Sequence, residues 1–217
     1  MARGAVLADY PDFSDVSKLK LNGDATQAGA VLQLTSNADS ETGTAYTKRR
    51  VLNHKKSWKT AFSFSMHDSA GLPGDGMAFL IHSTDKNAIG DGGGGLGFGS
   101  IGDSLAIEFD TFDNGGSDEQ ANEVSIIANG KAGRTKDSGV PSFQLYGGQR
   151  WAWVSYKAKS RKVKAWVSDT DTKPSSPIVA SKVDLKKVLH DKSFAGFTAA
   201  TGGATEQHDV LEWRLTQ

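Results

Sequence analysis

The chain has 217 residues, 25 of them basic, 25 acidic and none cysteine. Balanced charge gives no footprint for nucleic acid or an anionic membrane. The lack of cysteine excludes disulfides, and no segment approaches the roughly 20 apolar residues that insert across a bilayer. The length suits one large all-β unit, and no linker-like stretch interrupts it, so residues 1–217 read as a single domain. The opening MARGAVLADYPDF contains an apolar segment too short for a secretory signal and broken by Asp9, so the sequence leaves the compartment open.

Short β-patterned runs recur along the chain, separated by glycine-rich turns. They are expected at 29–35, 58–66, 76–82, 104–112, 124–129, 150–159, 163–168 and 210–215, the pattern of an all-β sandwich or barrel. From Trp58 to Met66, Phe62, Phe64 and Met66 share one face and Ala61, Ser63 and Ser65 the other, so one face meets a core. Trp151–Val154 and Lys164–Val167 flank a short turn and read as a hairpin. The basic stretch between them, Lys157 to Lys164, reads as that hairpin's solvated face and turn. Lys182 to His190 has a small apolar stripe and predicts a helix of a turn or two.

The glycine cluster Asp91 to Gly97 holds Gly92, Gly94 and Gly97 at dinucleotide-fingerprint spacing. No helix follows to receive a pyrophosphate, so the spacing is coincidental. A loop of this composition instead exposes backbone NH groups to a close approach.

Residues 105–129, LAIEFDTFDNGGSDEQANEVSIIAN, gather oxygen donors around Gly115-Gly116. On a strand Glu108, Asp110 and Phe112 share a face, opposite Ile107, Phe109 and Thr111. Carboxylates two residues apart repel unless a cation lies between them, and Asn114 and Asp118 follow at loop positions able to fold over the same point. A hard-cation site is expected, against the alternative of a solvated acidic hairpin end. It is not an EF-hand: with Asp110 first, the third position is Phe112 and the twelfth Ala121.

Taken together, FSDVSKLKLNGDA, GAVLQLT, KTAFSFSM, GDGMAFLIH, GGGGLGFG, IEFDTFDN and FAGFTAATGGATEQHDVLEWRL, in this order, resemble the L-type lectins, the family of legume seed lectins and mannose-binding cargo receptors. The resemblance covers most of the chain and implies a concanavalin-like jelly-roll β-sandwich that binds glycans or glycoproteins without catalysis beside a calcium ion. It favours an extracellular or cell-surface place and mannose/glucose-type glycans. It also implies calcium ligands at Asp110, the Phe112 carbonyl, Asn114 and Asp118, with Asp137 as the substitute for Asp118. Plant members hold a second ion, here matched by Glu108, Asp110, Asp118 and, where they have histidine, Glu123. A carboxylate in place of imidazole favours calcium or manganese over zinc there.

By the same matching, Asp75 would accept sugar hydroxyls from a cis Gly74-Asp75 peptide. Gly94 would donate its NH, Asn114 its side-chain amide, and Phe112 would stack on the pyranose. Gly202, Gly203 and Ala204 match the loop that sets monosaccharide preference, in a Thr-Gly-Gly form like that of the mannose-binding receptors. A sugar's vicinal hydroxyls suit such a set of carboxylate, amide and NH groups. Without the resemblance, Asp75 is an ordinary turn aspartate and Phe112 a core residue, whereas His208 is read as a structural histidine at a strand start, outside the site. Two other functions are weighed. One is a jelly-roll glycoside hydrolase using Glu108, Asp110 and Asp113, disfavoured because Asp113 faces away from Glu108 on a strand. The other is a lectin-like adhesion module without sugar binding. Long sheet edges permit a homodimer without specifying one.

Overall fold

The computed structural model describes residues 4–69, 71–115, 121–132, 137–190 and 192–217. In chain order its strands are β1 (Val6–Tyr10), β2 (Leu19–Gly23), β3 (Thr26–Ala28), β4 (Val31–Thr35), β5 (Thr42–Thr47), β6 (Leu52–Asn53), β7 (Trp58–His67) and β8 (Gly76–His82). They continue with β9 (Ser104–Asp110), β10 (Glu123–Ala128), β11 (Ser138–Gly139), β12 (Gly148–Lys157), β13 (Lys162–Ser168), β14 (Val179–Lys182), β15 (Lys192–Ala200) and β16 (Gln207–Thr216). A single helical turn, α1 (Leu185–Val188), joins β14 to β15. Among the described residues no helix is long and apolar enough to cross a membrane.

The strands form two antiparallel sheets. The back sheet runs β14-β13-β12-β7-β16-β4-β3, with β1 also on β16; the front sheet runs β11-β10-β9-β8-β15-β5-β2, with β6 also on β15. Sequence neighbours in one sheet are often separated by excursions into the other, which is a jelly roll, as the resemblance implies. The alternation in β7 faces Phe62, Phe64 and Met66 inward, where Phe62 meets Phe197 at 5.0 Å, Phe79 at 5.7 Å and Phe109 at 5.8 Å between ring centroids. These contacts tie β7 of the back sheet to β8, β9 and β15 of the front. Truncating so enclosed a ring costs about 3–5 kcal/mol.

The front sheet's outer face is only partly open to solvent. Leu96, Phe98 and Ile101, from the glycine-rich segment, fold over it and pack on Ala78, Leu80, Ala106 and Ile127 in a second apolar cluster. Strands β8 and β9 are therefore buried on both faces, which explains why they lack a polar face in the sequence. The rest of that outer face, at the end where β8 starts and β9 and β15 finish, is where the polar residues gather.

The expected strands are all found, most with limits shifted by one to three residues, and two of these shifts matter. The strand expected at 104–112 ends at Asp110, so Phe112 lies beyond the pleat and its face is set by the loop. The run 29–35 is a hairpin return, with β4 starting only at Val31 after a turn in which Gly29 has φ 64°. The Trp151/Val167 hairpin forms with Trp153 opposite Trp166 and Lys157 opposite Lys162.

Candidate functional site

Three chain segments meet at one corner because of strand register. Gly76, the first residue of β8, pairs with Asp110, the last of β9, and with Ala200, the last of β15. The segments 72–75, 111–115 and 201–205 therefore leave the sheet side by side. The ladder continues one step beyond it: the Asp75 NH donates to the Ala200 carbonyl at 3.1 Å, and the Thr111 NH donates to the Asp75 carbonyl at 3.0 Å. The Gly74-Asp75 peptide is cis, as the resemblance implies.

The fourth wall is the glycine-rich loop. Its short turn Gly93–Gly95 needs φ 54° at Gly93, and the Thr198 hydroxyl of β15 pins it by donating to the Leu96 carbonyl at 2.7 Å. Glycine also lets the walls approach one another closely. A Cβ on Gly94 would lie 2.7 Å from Asn114 Oδ1, and one on Gly74 would lie 2.8 Å from the Ala204 methyl and 3.0 Å from Phe112 Cβ. A Cβ on Gly202 would lie 3.1 Å from Asp75 Oδ2. Asp75, Gly94, Phe112, Asn114, Gly202 and Ala204, from four separate loops, are thus brought together, while Gly203 stands at the rim with open space around it.

Asp75 is 4% exposed, and its Oδ2 makes no hydrogen bond among the described residues. Burial pushes its carboxyl above the usual range. Hydrogen bonding from the Asn114 amide and the charge of His208 pull it back, Glu206 pushes it further up, and the nearby Gly202 NH pulls it down. A buried carboxylate oxygen with unmet acceptor capacity costs free energy until a donor reaches it. The Asn114 amide, read from the resemblance as a sugar donor, is thus already engaged with Asp75. Phe112 is half-buried and Asn114 exposed, so both lie at the surface of the cradle.

A second group of oxygens lies alongside. Glu108, Asp110 and Glu123 are 3%, 4% and 5% exposed. All three lie on the outer face of the front sheet, because Ile107, Phe109 and Val124 fill the inner one. Glu123 pairs directly across from Asp110. The Phe112 NH donates to Asp110 Oδ1 at 2.8 Å, and the Ser125 hydroxyl donates to Glu123. Among the described residues no three carboxylate or imidazole groups converge tightly enough to hold an ion alone. Asp118 lies outside the described residues. Asp137 accepts from Ser181 of the back sheet at 2.6 Å. Asp113, the acid needed by a hydrolase, is exposed and closes a turn with the Gly115 NH at 2.7 Å.

One set of residues supporting the cradle was not read from the sequence. Thr111 Oγ1 donates to the Asp75 carbonyl at 3.1 Å and is also hydrogen-bonded to Glu206. Glu206 meets His208 Nε2 at 3.0 Å, and His208 Nδ1 meets the Thr35 hydroxyl at 2.6 Å. Glu206, His208 and Thr35 are fully buried. His208 is structural, as expected, but it acts on the site at one remove. The signal available was Glu206-x-His208, two polar residues sharing one strand face directly after the 202–204 loop.

Concavities of similar size lie beside the N-terminal strand, about 800 Å³, against the glycine-rich loop at Gly94 and Gly95, about 680 Å³, and on the back sheet, about 630 Å³.

Comparison with known proteins follows the same lines. The family model described as Legume lectin domain matches residues 8–217. An L-type lectin-domain containing receptor kinase, VIII.2, of Arabidopsis thaliana is 34% identical over 93% of this chain and 30% of its own length. The chain thus spans about a third of that relative. Among solved structures, peanut lectin with a nine-residue peptide superposes with a TM-score of 0.84 at 26% identity, covering 99% of this chain and 97% of that one. Basic winged bean lectin with Tn-antigen superposes at 0.80 with 28% identity, covering 96% of each.

Proposed function

The chain belongs to the legume lectin domain family, and from that premise we propose that it is a single non-catalytic domain that binds glycans in the cradle of Asp75, Gly94, Phe112, Asn114 and Gly202–Ala204. The observation that carries this is the buried Asp75 Oδ2, which lacks a hydrogen-bond donor while facing the glycine walls. A pair of vicinal hydroxyls supplies what it lacks, and the Gly94 NH, the Asn114 amide and the Phe112 ring complete a surface with polar and CH-facing parts. Asp113, exposed and turned to the Gly115 NH of its own loop, supports binding over a hydrolase that pairs it with Glu108 or Asp110, since retaining and inverting hydrolases need two facing acids.

For the metal we propose calcium held by Asp110, the Phe112 carbonyl, Asn114 and Asp118, with Glu108 and Glu123 able to serve a second ion, calcium or manganese. The donor set fits: every group is a hard oxygen, and three buried carboxylates crowd one sheet face. Such an ion neutralises the carboxylates and stiffens the loop. The chain's own residues do the recognition, with Asp110 fixing the Phe112 NH and Asn114 bridging the loop to Asp75.

Mannose/glucose-type glycans are the proposed class, supported by the open Gly202-Gly203 loop. The winged bean protein's Tn-antigen favours a second reading, in which the same cradle takes that glycan instead. Similarity to a receptor kinase's lectin domain supports a place at the cell surface. A glycan array with added calcium separates the two glycan classes. Binding to mannose or glucose structures, lost in Asp75→Asn, is expected; binding that survives this substitution would remove the assignment.

A further inference from the structure

The outer face of the back sheet carries a feature that glycan binding at the cradle does not use. Strands β13, β12, β7 and β16 lie in that order, and register sets Lys164, Ser155, Lys59 and Thr216 in one row and Trp166, Trp153, Ala61 and Arg214 in the next. At about 4.8 Å between strands, each row is about 14 Å long. Lys157 and Lys162 pair across at one end, and Lys173 reaches in from the loop after β13 to lie 3.4 Å over the Trp166 ring. These residues line the groove of about 630 Å³, and no carboxylate is among those lining it.

The charge distribution is not what a neutral chain would show by chance mixing. Positive and negative residues balance at 25 each overall, yet six cations share this one groove. Arg214 is paired with Asp9 at 3.3 Å. Lys59, Lys157, Lys162, Lys164 and Lys173 form no ion pair among the described residues. The charges acting on Lys173 are those of Lys59 and Lys164, and burial and this repulsion together hold its ammonium below the usual range. Clustered like charges raise the energy of the free protein, and a polyanion relieves it. The floor is mixed: Trp153 is half-buried, and Ser155, Ser160 and Thr216 bring hydroxyls. Trp166 is buried under Lys173, which leaves one accessible ring. One ring with hydroxyls around it suits the CH face of a sugar; runs of nucleobases stack on successive exposed rings.

We propose that this groove is a second binding site, for an acidic polysaccharide chain bearing carboxylates on its sugar rings, held by Lys59, Lys164 and Lys173 with one ring on Trp153. The site is separate from the cradle and does not depend on it.

The test uses polygalacturonate as probe, with its methyl ester as the uncharged control, by titration calorimetry at low and moderate salt. Binding is expected for the acid form only, weakened by salt, unchanged in Asp75→Asn, and weakened roughly three- to thirtyfold in Lys59→Gln/Lys164→Gln, the range for two exposed ion pairs. Both lysine substitutions lie on the surface, and an unchanged melting temperature establishes that the fold persists. Any of four outcomes overturns the proposal: no binding of the acid form, equal binding of the ester, affinity insensitive to the double substitution, or equal or tighter binding of an oligothymidylate of matched charge. A dimer in sedimentation that the double substitution dissociates would also overturn it, by assigning the face to a second copy of the chain.

Discussion

Gly94→Ala isolates the cradle from the fold. The added methyl carbon would lie 2.7 Å from Oδ1, 2.9 Å from Cγ and 3.0 Å from Nδ2 of Asn114, inside van der Waals contact. No backbone atom stands that close, and the Asn114 side chain is exposed, so the side chain turns away and the sheet stays as it is. The consequence is the loss of the Asn114 amide's hydrogen bond to Asp75 and of the amide's place beside the ligand. A hydrogen bond to a charged group is worth about 1.5–3 kcal/mol, which translates into a roughly 10- to 150-fold weaker dissociation constant. The stability change for a surface adjustment stays within about 0.5 kcal/mol, or a melting shift below about 2 °C for a chain of this size. Calorimetry with the best array glycan and a thermal melt measure the two quantities on one sample. Unchanged affinity would refute the role given to Asn114. A fall in melting temperature that matches the loss of binding would refute the claim that the loop, and not the fold, is being read.

Removing divalent ions with a calcium-selective chelator should lower both glycan affinity and melting temperature. At a calcium level about 100 times its dissociation constant the coupling is about 2.7 kcal/mol, a shift of roughly 5–10 °C, and re-added calcium should restore it; an unchanged melt excludes the proposed calcium site. A third prediction concerns acid. His82 is fully buried, with Nδ1 on the Thr84 hydroxyl at 2.7 Å and no partner for Nε2 among the described residues, and burial followed by the Arg50 charge lowers its pKa to about 4. The unfolded chain binds that proton near pH 6.5. Stability is therefore full above the unfolded value and lost as pH falls toward the folded one, by about 2–3 kcal/mol at about pH 4.5. His82→Leu should show a smaller drop in melting temperature between about pH 7 and pH 4.5 than the parent, and equal drops would disprove the assignment.

What could be read in the sequence follows burial geometry. β7 and the β12/β13 hairpin were legible because one face meets the core and the other the solvent, so the period of two survives in the residues. β15 and β5 have no such pattern. Phe194 to Ala200 is buried on both faces, and Gly196 sits where a Cβ would strike the carbonyl of Ala45 on the neighbouring strand. Small residues there record the closeness of backbones, which a periodicity cannot express. The doubly buried β8 was found as an apolar run, although only the packing of Leu96 and Phe98 explains why its outer face is apolar. At the site, composition singled out the acidic strand and the glycine loop, and Asp75, Gly94 and Gly202 were reached by family resemblance. Thr111, Glu206 and Thr35 were not reached: the Thr111–Glu206 and Thr35–His208 hydrogen bonds join residues 95 and 173 positions apart, and only the Glu206-x-His208 step is local. Nothing local marks such a contact.

Whether the Asp75 cradle takes a sugar is decided by a calcium-containing glycan array run in parallel on the parent chain and on Asp75→Asn of equal thermal stability. Defined glycan signals are expected for the parent and their disappearance in the variant. The same signals in both, or none in the parent at saturating calcium, would contradict it.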